Sequence, residues 1–424
     1  MDRIAAPDNL RLAFWKAAKG KRAKADCRAF REGLDRNLDE LRADLLAEQV
    51  RVGDYRYFTI HDPKERTICA ASFRERVLHH ALMNVCEPVL ESAAIYDSYA
   101  CRKGKGRLAA IERAREFTQS HRWFLKLDVR KYFDSVDHSI LSQSLARKYK
   151  DGALLRLLGS IICSYETAPG RGLPIGNLTS QHFANFYLAA LDRFVKEDLH
   201  RAAYVRYMDD SVVWGSSAAE LSEIRERVRA FLARELKLEL KGNAVVNRTS
   251  CGMDFLGYRL FPHTVRLARR SKVRFARKFR QYERAYVRGQ WTELHLQQRM
   301  QALLAFVMPA DTLAYRQHVL ERFGVVAKGL EPGDPGRQLE QQRQELPGHE
   351  PQQQLAGQQE QQYRVPVRPS PSSIPPSGTD PAAILSGEGV RASANTVSLP
   401  GASSPVGARD RTLRAGELEP QDRV

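Results

Sequence analysis

Two adjacent carboxylates, Asp209 and Asp210, sit in Tyr204-Val-Arg-Tyr-Met-Asp-Asp-Ser-Val-Val-Trp-Gly215, between short runs rich in aromatic and β-branched residues. Such runs around a polar pair predict a β-hairpin with both acids at its tip. A third acid, Asp128, lies much earlier, where the apolar run Trp123-Phe-Leu-Lys-Leu ends and a polar, helix-compatible stretch begins. Mg²⁺ keeps several waters and is usually held by one or two carboxylates together with substrate phosphates, so a few converging acids suffice. Two such ions would bracket an in-line phosphoryl displacement, one activating the attacking oxygen and the other stabilising the leaving one. Asp134, Asp137, His138 and Asp192 read instead as helix caps or surface groups.

The acids need a framework to bring them together, and the pattern alternates helices and strands as an α+β or α/β core does. From about Leu10 to Val50 apolar residues such as Phe30, Leu34, Leu38, Leu41 and Leu45 recur at spacings of three and four, which predicts helices with basic outer faces. Residues 51–70 alternate like two strands joined by the turn His61-Asp-Pro-Lys64. A helix is expected from Phe73 to Asn84, stopped near Pro88, followed by a loop at Cys101–Gly106 and a helix to about Gln119. The Asp128 strand, a helix from about Ser139, the Gly172 loop with its helix, and the acidic hairpin come next. Leu236–Asn247 and Asp254–Phe261 read as short strands, and residues 270–325 as basic helices.

A chain of 424 residues has room for two or three domains. Residues 331–424 hold 9 Arg, no Lys and 12 acids, a net of −3, so residues 1–330 carry +20 of the total +17. A basic surface of that size attracts polyanions such as nucleic acids. The six cysteines are scattered without a Cys-x-x-Cys pair, which argues against a zinc site or a disulfide framework. No run approaches a membrane span and no signal peptide is visible, so a cytoplasmic protein without a membrane partner is expected. From Pro332 onward lie 13 of the 20 prolines, and 11 of the 25 residues from Gln338 to Gln362 are Gln. Residues 329–424 are therefore expected to be a disordered Gln/Pro-rich tail.

Four motifs occur in order: Leu127-Asp-Val-Arg-Lys-Tyr-Phe133, Gly172-Leu-Pro-Ile-Gly-Asn-Leu-Thr-Ser-Gln181, Tyr207-Met-Asp-Asp210 and Phe255-Leu-Gly-Tyr258. Together they resemble bacterial reverse transcriptases over about residues 50–325. The resemblance implies an α+β right-hand polymerase fold: basic N-terminal helices over 1–50, fingers and palm over 51–262, and a helical thumb over 263–328. The palm would be an antiparallel sheet bearing the catalytic hairpin. The implied activity is RNA-directed DNA polymerisation, attack of a primer 3′-hydroxyl on the α-phosphate of a deoxynucleoside triphosphate, with two Mg²⁺ ions as cofactor. Asp128 and Asp209 would ligate both ions, the Val129 carbonyl would add a ligand, and Asp210 would complete the metal-binding set and shape the site electrostatically. Phe133 would stand beneath the sugar and clash with a 2′-hydroxyl. Arg74, Arg76, Arg102 and Lys103 would neutralise the triphosphate, with Ile175 and Gly176 beside the nascent pair. Gly172, Pro174, Gln181, Tyr207 and Met208 would support template and primer, and Lys272, Arg277 and Lys278 of the thumb would grip their backbones.

Ile175 stands where most reverse transcriptases have Gln, and Ser180-Gln181 where many bacterial ones have Ser-Pro. That departure resembles the enzymes of diversity-generating retroelements, which copy template RNA with frequent errors at adenines; loss of a polar contact at Ile175 would relax selectivity. The implied partners are a structured template RNA, primer and cDNA, dNTPs and a small basic accessory protein. The alternatives are an antiviral-defence, retron or group II intron-type enzyme, or a non-catalytic RNA-binding relative. Read one nucleotide out of frame with suitable codons, the Gln-rich stretch gives Asn runs like the variable repeat of retroelement target proteins, which would make the tail translational read-through.

Overall fold

A computed structural model describes residues 1–61, 65–242 and 244–324, so the expected tail lies outside the described residues. The N-terminal pattern folds as α1 (Asp2–Ala5), α2 (Pro7–Ala18), α3 (Ala25–Glu32) and α4 (Leu34–Leu46). Leu38, Leu41 and Leu45 fall on one face of α4 and are buried in a core with Phe14 and Phe30. After the hairpin β1 (Tyr55–Ile60) and β2 (Arg66–Ala71), α5 (Phe73–Ser92) packs on this layer, its start capped by the Ser72 hydroxyl, which accepts the Glu75 N–H. The expected stop near Pro88 is not found. A proline inside a helix removes one hydrogen bond, and burial of Cys86 and Leu90 on either side of it carries the helix on to Ser92.

There follow α6 (Arg107–Ser120), β3 (Trp123–Asp128), α7 (Tyr132–Ser135), α8 (His138–Lys148), α9 (Gly152–Cys163), α10 (Leu178–Tyr187), α11 (Ala189–Arg193), β4 (Tyr204–Tyr207), β5 (Asp210–Gly215), α12 (Ala218–Leu236) and β6 (Val245–Arg248). The strands form one antiparallel sheet in the order β4-β5-β3-β6. Strand side chains alternate between faces. Leu125, Leu127, Tyr204 and Val213 enter the core shared with the N-terminal helices. Phe124, Val205, Val212 and Trp214 enter a second core, closed by α6, by the small sheet β7 (Met253–Phe255), β8 (Tyr258–Leu260) and β9 (Val265–Leu267), and by α13 (Arg269–Val287), α14 (Glu293–Val307) and α15 (Leu313–Phe323).

Two expected strands differ. Leu236 ends a helix, because Leu221, Ile224, Val228 and Leu232 precede it at helical spacing and Ser217 with Glu220 forms a capping box; the strand is confined to Val245–Arg248. Asp254–Phe261 is interrupted by a tight turn at Leu256 and Gly257, both at positive φ, which folds it into the β7–β8 hairpin. No described helix is long and apolar enough to cross a membrane.

Gly176, at φ +120°, lies where a Cβ would stand 2.8 Å from Ile68 Cγ2 and 3.1 Å from the Cys69 carbonyl oxygen. Gly176→Ala is expected to lower stability by about 1–3 kcal/mol, read as a reduced urea midpoint; an unchanged midpoint would show that the loop yields freely.

Candidate active site

Pairing of β3 with β5 runs from Trp123↔Gly215 to Asp128↔Asp210. Residues directly opposite share a face, so Asp128 and Asp210 end the row that also holds Phe124, Lys126, Val212 and Trp214. Pairing of β4 with β5 closes at Tyr207↔Asp210 and leaves Met208 and Asp209 as a two-residue turn. Met208 takes φ +56°, a left-handed conformation that costs an L-residue roughly 1–2 kcal/mol. The chain after β3 continues as a ribbon: Arg130 N donates to the Glu239 carbonyl at 2.8 Å and Lys241 N to that of Asp128 at 2.9 Å, flanking a Val129–Leu240 bridge. In such a pair the bridged residues' own carbonyls point outward, so the Val129 carbonyl faces the side of β3 on which Asp209 lies.

Burial raises the Asp210 carboxyl to about 6, and repulsion from Asp128 and Asp209 adds to the rise against the opposing pull of Lys126, 3.3 Å away. Asp209 is also raised, first by burial and then by Asp128, while Lys241 and Arg66 pull it back. Lys241 Nζ lies 2.5 Å from Asp128 Oδ2. Among the described residues no three His, Cys, Asp or Glu side chains group so as to hold a metal ion by themselves. Without an ion, two of the acids are engaged by lysines. Yet Asp128 Oδ1 is buried and accepts no hydrogen bond, while the buried Asp210 Oδ1 is met by Lys126 Nζ at 3.3 Å. An unpartnered carboxylate oxygen and like charges in partial burial fit a divalent ion that takes two carboxylates and fills its remaining positions with water and phosphate oxygens.

Phe133 is half-buried on α7, and its carbonyl accepts the Leu173 N–H at 2.8 Å, tying it to the Gly172 loop. Gly172 itself accepts from His138 Nε2 at 2.7 Å through its carbonyl. Pro174 is buried, and the Ile175 carbonyl accepts the Cys69 N–H at 2.8 Å, joining this loop to β2; Gln181 sits near Cys101. Tyr207 and Met208 are half-buried at the hairpin. Lys272, Arg277 and Lys278 lie on α13, with Lys272 over the Tyr315 ring.

The four cations expected at the triphosphate are engaged elsewhere. Arg74 pairs with Asp44 at 2.6 Å, Arg76 with Asp26 at 3.5 Å and Lys103 with Glu87 at 3.7 Å. Arg102 bonds Glu91 and the carbonyls of Ile95 and Ser98. The cations acting on the acids are Lys126, Lys241 and Arg66; alternation along β3, which puts Lys126 on Asp128's face, was the available signal for the first. Two expected caps or surface groups are also corrected. His138 is buried beneath the Gly172 loop, and Asp192 is fully buried against Arg206. Asp137 does cap α8.

Because Asp210 holds its proton to a higher pH folded than unfolded, the folded state binds more protons between about pH 4 and pH 6 and stability falls as pH rises through that window. The metal-free protein should lose about 2 kcal/mol across it; Asp210→Asn should flatten the slope. Denaturation in chelator over a pH series checks this, and equal slopes in the two proteins would assign the loss to other groups.

Residues 61–260 match the family described as reverse transcriptase (RNA-dependent DNA polymerase). Protein YkfC of Escherichia coli (strain K12) is 26% identical over 248 residues, 48% of this chain and 65% of that one. The group II intron-encoded protein LtrA of Lactococcus lactis subsp. cremoris is 21% identical over 266 residues, 46% and 44% respectively. The chain thus spans less than two thirds of the length of these relatives. Among solved structures, apo telomerase from Candida tropicalis gives a TM-score of 0.42 at 11% identity, covering 67% of this chain and 64% of that one. The matched segment holds the Asp128 strand, the Gly172 loop, the acidic hairpin and the β7–β8 turn.

Proposed function

We propose that the chain copies an RNA template into cDNA, and that it does so with the error-prone habit of a diversity-generating retroelement enzyme. The observation that carries the polymerase reading is the convergence of Asp128, Asp209 and Asp210 at one end of a sheet, with the buried Asp128 Oδ1 accepting no hydrogen bond. When bound, a pair of Mg²⁺ ions supplies charge stabilisation to both the attacking and leaving oxygens of a phosphoryl transfer. Asp128 and Asp209, with the Val129 carbonyl, would hold that pair, and Asp210 would add negative charge to the site. Phe133, fixed to the Gly172 loop through its backbone, stands under the sugar and excludes a 2′-hydroxyl. Arg66, on the fingers hairpin and within electrostatic reach of Asp209, faces the triphosphate.

In this reading β1, β2 and the sheet around Asp128 are fingers and palm, and α13–α15 are the thumb, whose Lys272, Arg277 and Lys278 lie along the duplex. A cleft of about 340 Å³ lined by Lys21, Lys24, Arg56, Arg76, Phe58 and Gln181 adjoins Gly176. Its cations and its aromatic ring suit the backbone and bases of unpaired RNA. Ile175 and Gln181 support the retroelement type. The match to a group II intron-encoded protein favours, as a second reading, an intron-type enzyme with the same chemistry.

Primer extension on RNA with Mg²⁺ and sequencing of the products tests both levels. Asp209→Ala should lower incorporation by about 10³-fold or more; equal incorporation by the two proteins would reject the site. Misincorporation should concentrate opposite template adenines and fall several-fold in Ile175→Gln. Errors spread evenly over the four bases would favour the intron-type reading.

A further inference from the structure

The face of β4 turned away from the acids carries a guanidinium with no part in the chemistry above. Arg206 is 0% exposed, and its five N–H groups all donate. Nε and Nη2 bond the two carboxylate oxygens of Asp192 at 2.6 Å each. Nη1 bonds Asn185 Oδ1 at 2.8 Å and the Met208 carbonyl at 3.0 Å, and Nη2 reaches the Asn185 carbonyl at 3.2 Å. Asp192 is 0% exposed as well and accepts the Tyr204 hydroxyl at 2.9 Å. Desolvation offsets most of what a buried ion pair gains by attraction, so stability alone is a poor reason for this cluster.

What it fixes is more informative. Met208 directly precedes Asp209 and sits in a left-handed turn, so the direction of its carbonyl sets the plane of the Met208–Asp209 peptide. Asn185 belongs to α10, which starts at Leu178, just after the Gly172–Gly176 loop, and its Nδ2 also donates to the Ala100 carbonyl at 3.0 Å. The backbone of Arg206 is clamped in turn, its N–H donating to Asp97 and its carbonyl accepting from Tyr99, both at 3.0 Å. An ammonium could not supply five divergent donors in one plane.

The geometry points to Arg206 as a positioning residue: with Asp192 and Asn185 it holds the Met208–Asp209 peptide in its strained turn and keys the hairpin to α10, so that the Asp209 carboxylate and the Gly172–Gly176 loop keep one spacing. This rests on the polymerase reading for its effect on rate, but not for its effect on the hairpin. Two variants test it. Arg206→Lys keeps the charge and loses the planar fork; Asn185→Ala leaves the ion pair whole and removes one of its outer contacts, so it folds even if the first does not.

Hydrogen exchange at the amides of Met208–Ser211 should quicken about tenfold or more in Asn185→Ala while amides of α2 and α5 keep their rates. The kcat for extension should fall about 10- to 100-fold, with unchanged KM for dNTP and unchanged template–primer affinity, and the Mg²⁺ concentration for half-maximal rate should rise. Unaltered exchange at the hairpin, or exchange quickened equally throughout the protein, would overturn the positioning role. Absence of any Asp209-dependent extension by the wild type would instead overturn the polymerase reading, leaving the exchange result to decide the role of Arg206.

Discussion

Like charges held close in partial burial are the constraint around which this molecule is organised. The β3–β5 register sets Asp128 opposite Asp210, and the two-residue turn sets Asp209 beside them. Ionised carboxylates in such a place repel one another and lose hydration, and the raised affinity of Asp209 and Asp210 for protons records both effects. Lys126 and Lys241 relieve part of the strain. They leave Asp128 Oδ1 buried without a hydrogen bond, an oxygen suited to a hard divalent cation.

Holding that arrangement requires rigidity on both sides of one thin sheet. Leu125 and Leu127 of β3 lock into the helical core and Phe124 into the core built from α6, β7–β9 and the last three helices, while Lys126 and Asp128 on the face of Phe124 belong to the site. The loop carrying Gly172 and Gly176 is tied to α7 through Phe133 and to β2 through Ile175, so three separate stretches of chain converge near the acids by backbone hydrogen bonds. Backbone bonds of this kind do not depend on side-chain rotamers, which suits a site whose side chains must remain available.

The acids were legible in the sequence because each ends or interrupts a run with strand character, and the amphipathic N-terminal helices because their leucines repeat at helical spacing. Other features were hidden for physical reasons. Pro88 reads as a stop, but the packing of its neighbours outweighs one lost hydrogen bond. Arg74 and Arg76 look like free cations until the acids of distant helices, Asp44 and Asp26, are folded against them. Asp192 has no local sign of burial; its partner is fourteen residues away on a strand, and a carboxylate enters the interior here only because a guanidinium meets it there. Arg66 and Lys241 gained their significance from the approach of distant segments, which single-sequence patterning does not give.

The two-sided sheet has a consequence for the order in which the protein is made. The strands bearing the acids are complete once Gly215 has been added, and α6 already covers part of their outer face, where Trp214 meets Phe117 and Thr118; the rest of that core comes from residues between Met253 and Val319. During synthesis the nascent chain therefore carries a core covered by α6 alone for about a hundred residues, seconds at ordinary ribosomal speed. The outer half must close last, and the ribosome's pace over that stretch sets how long the unfinished surface is open to aggregation.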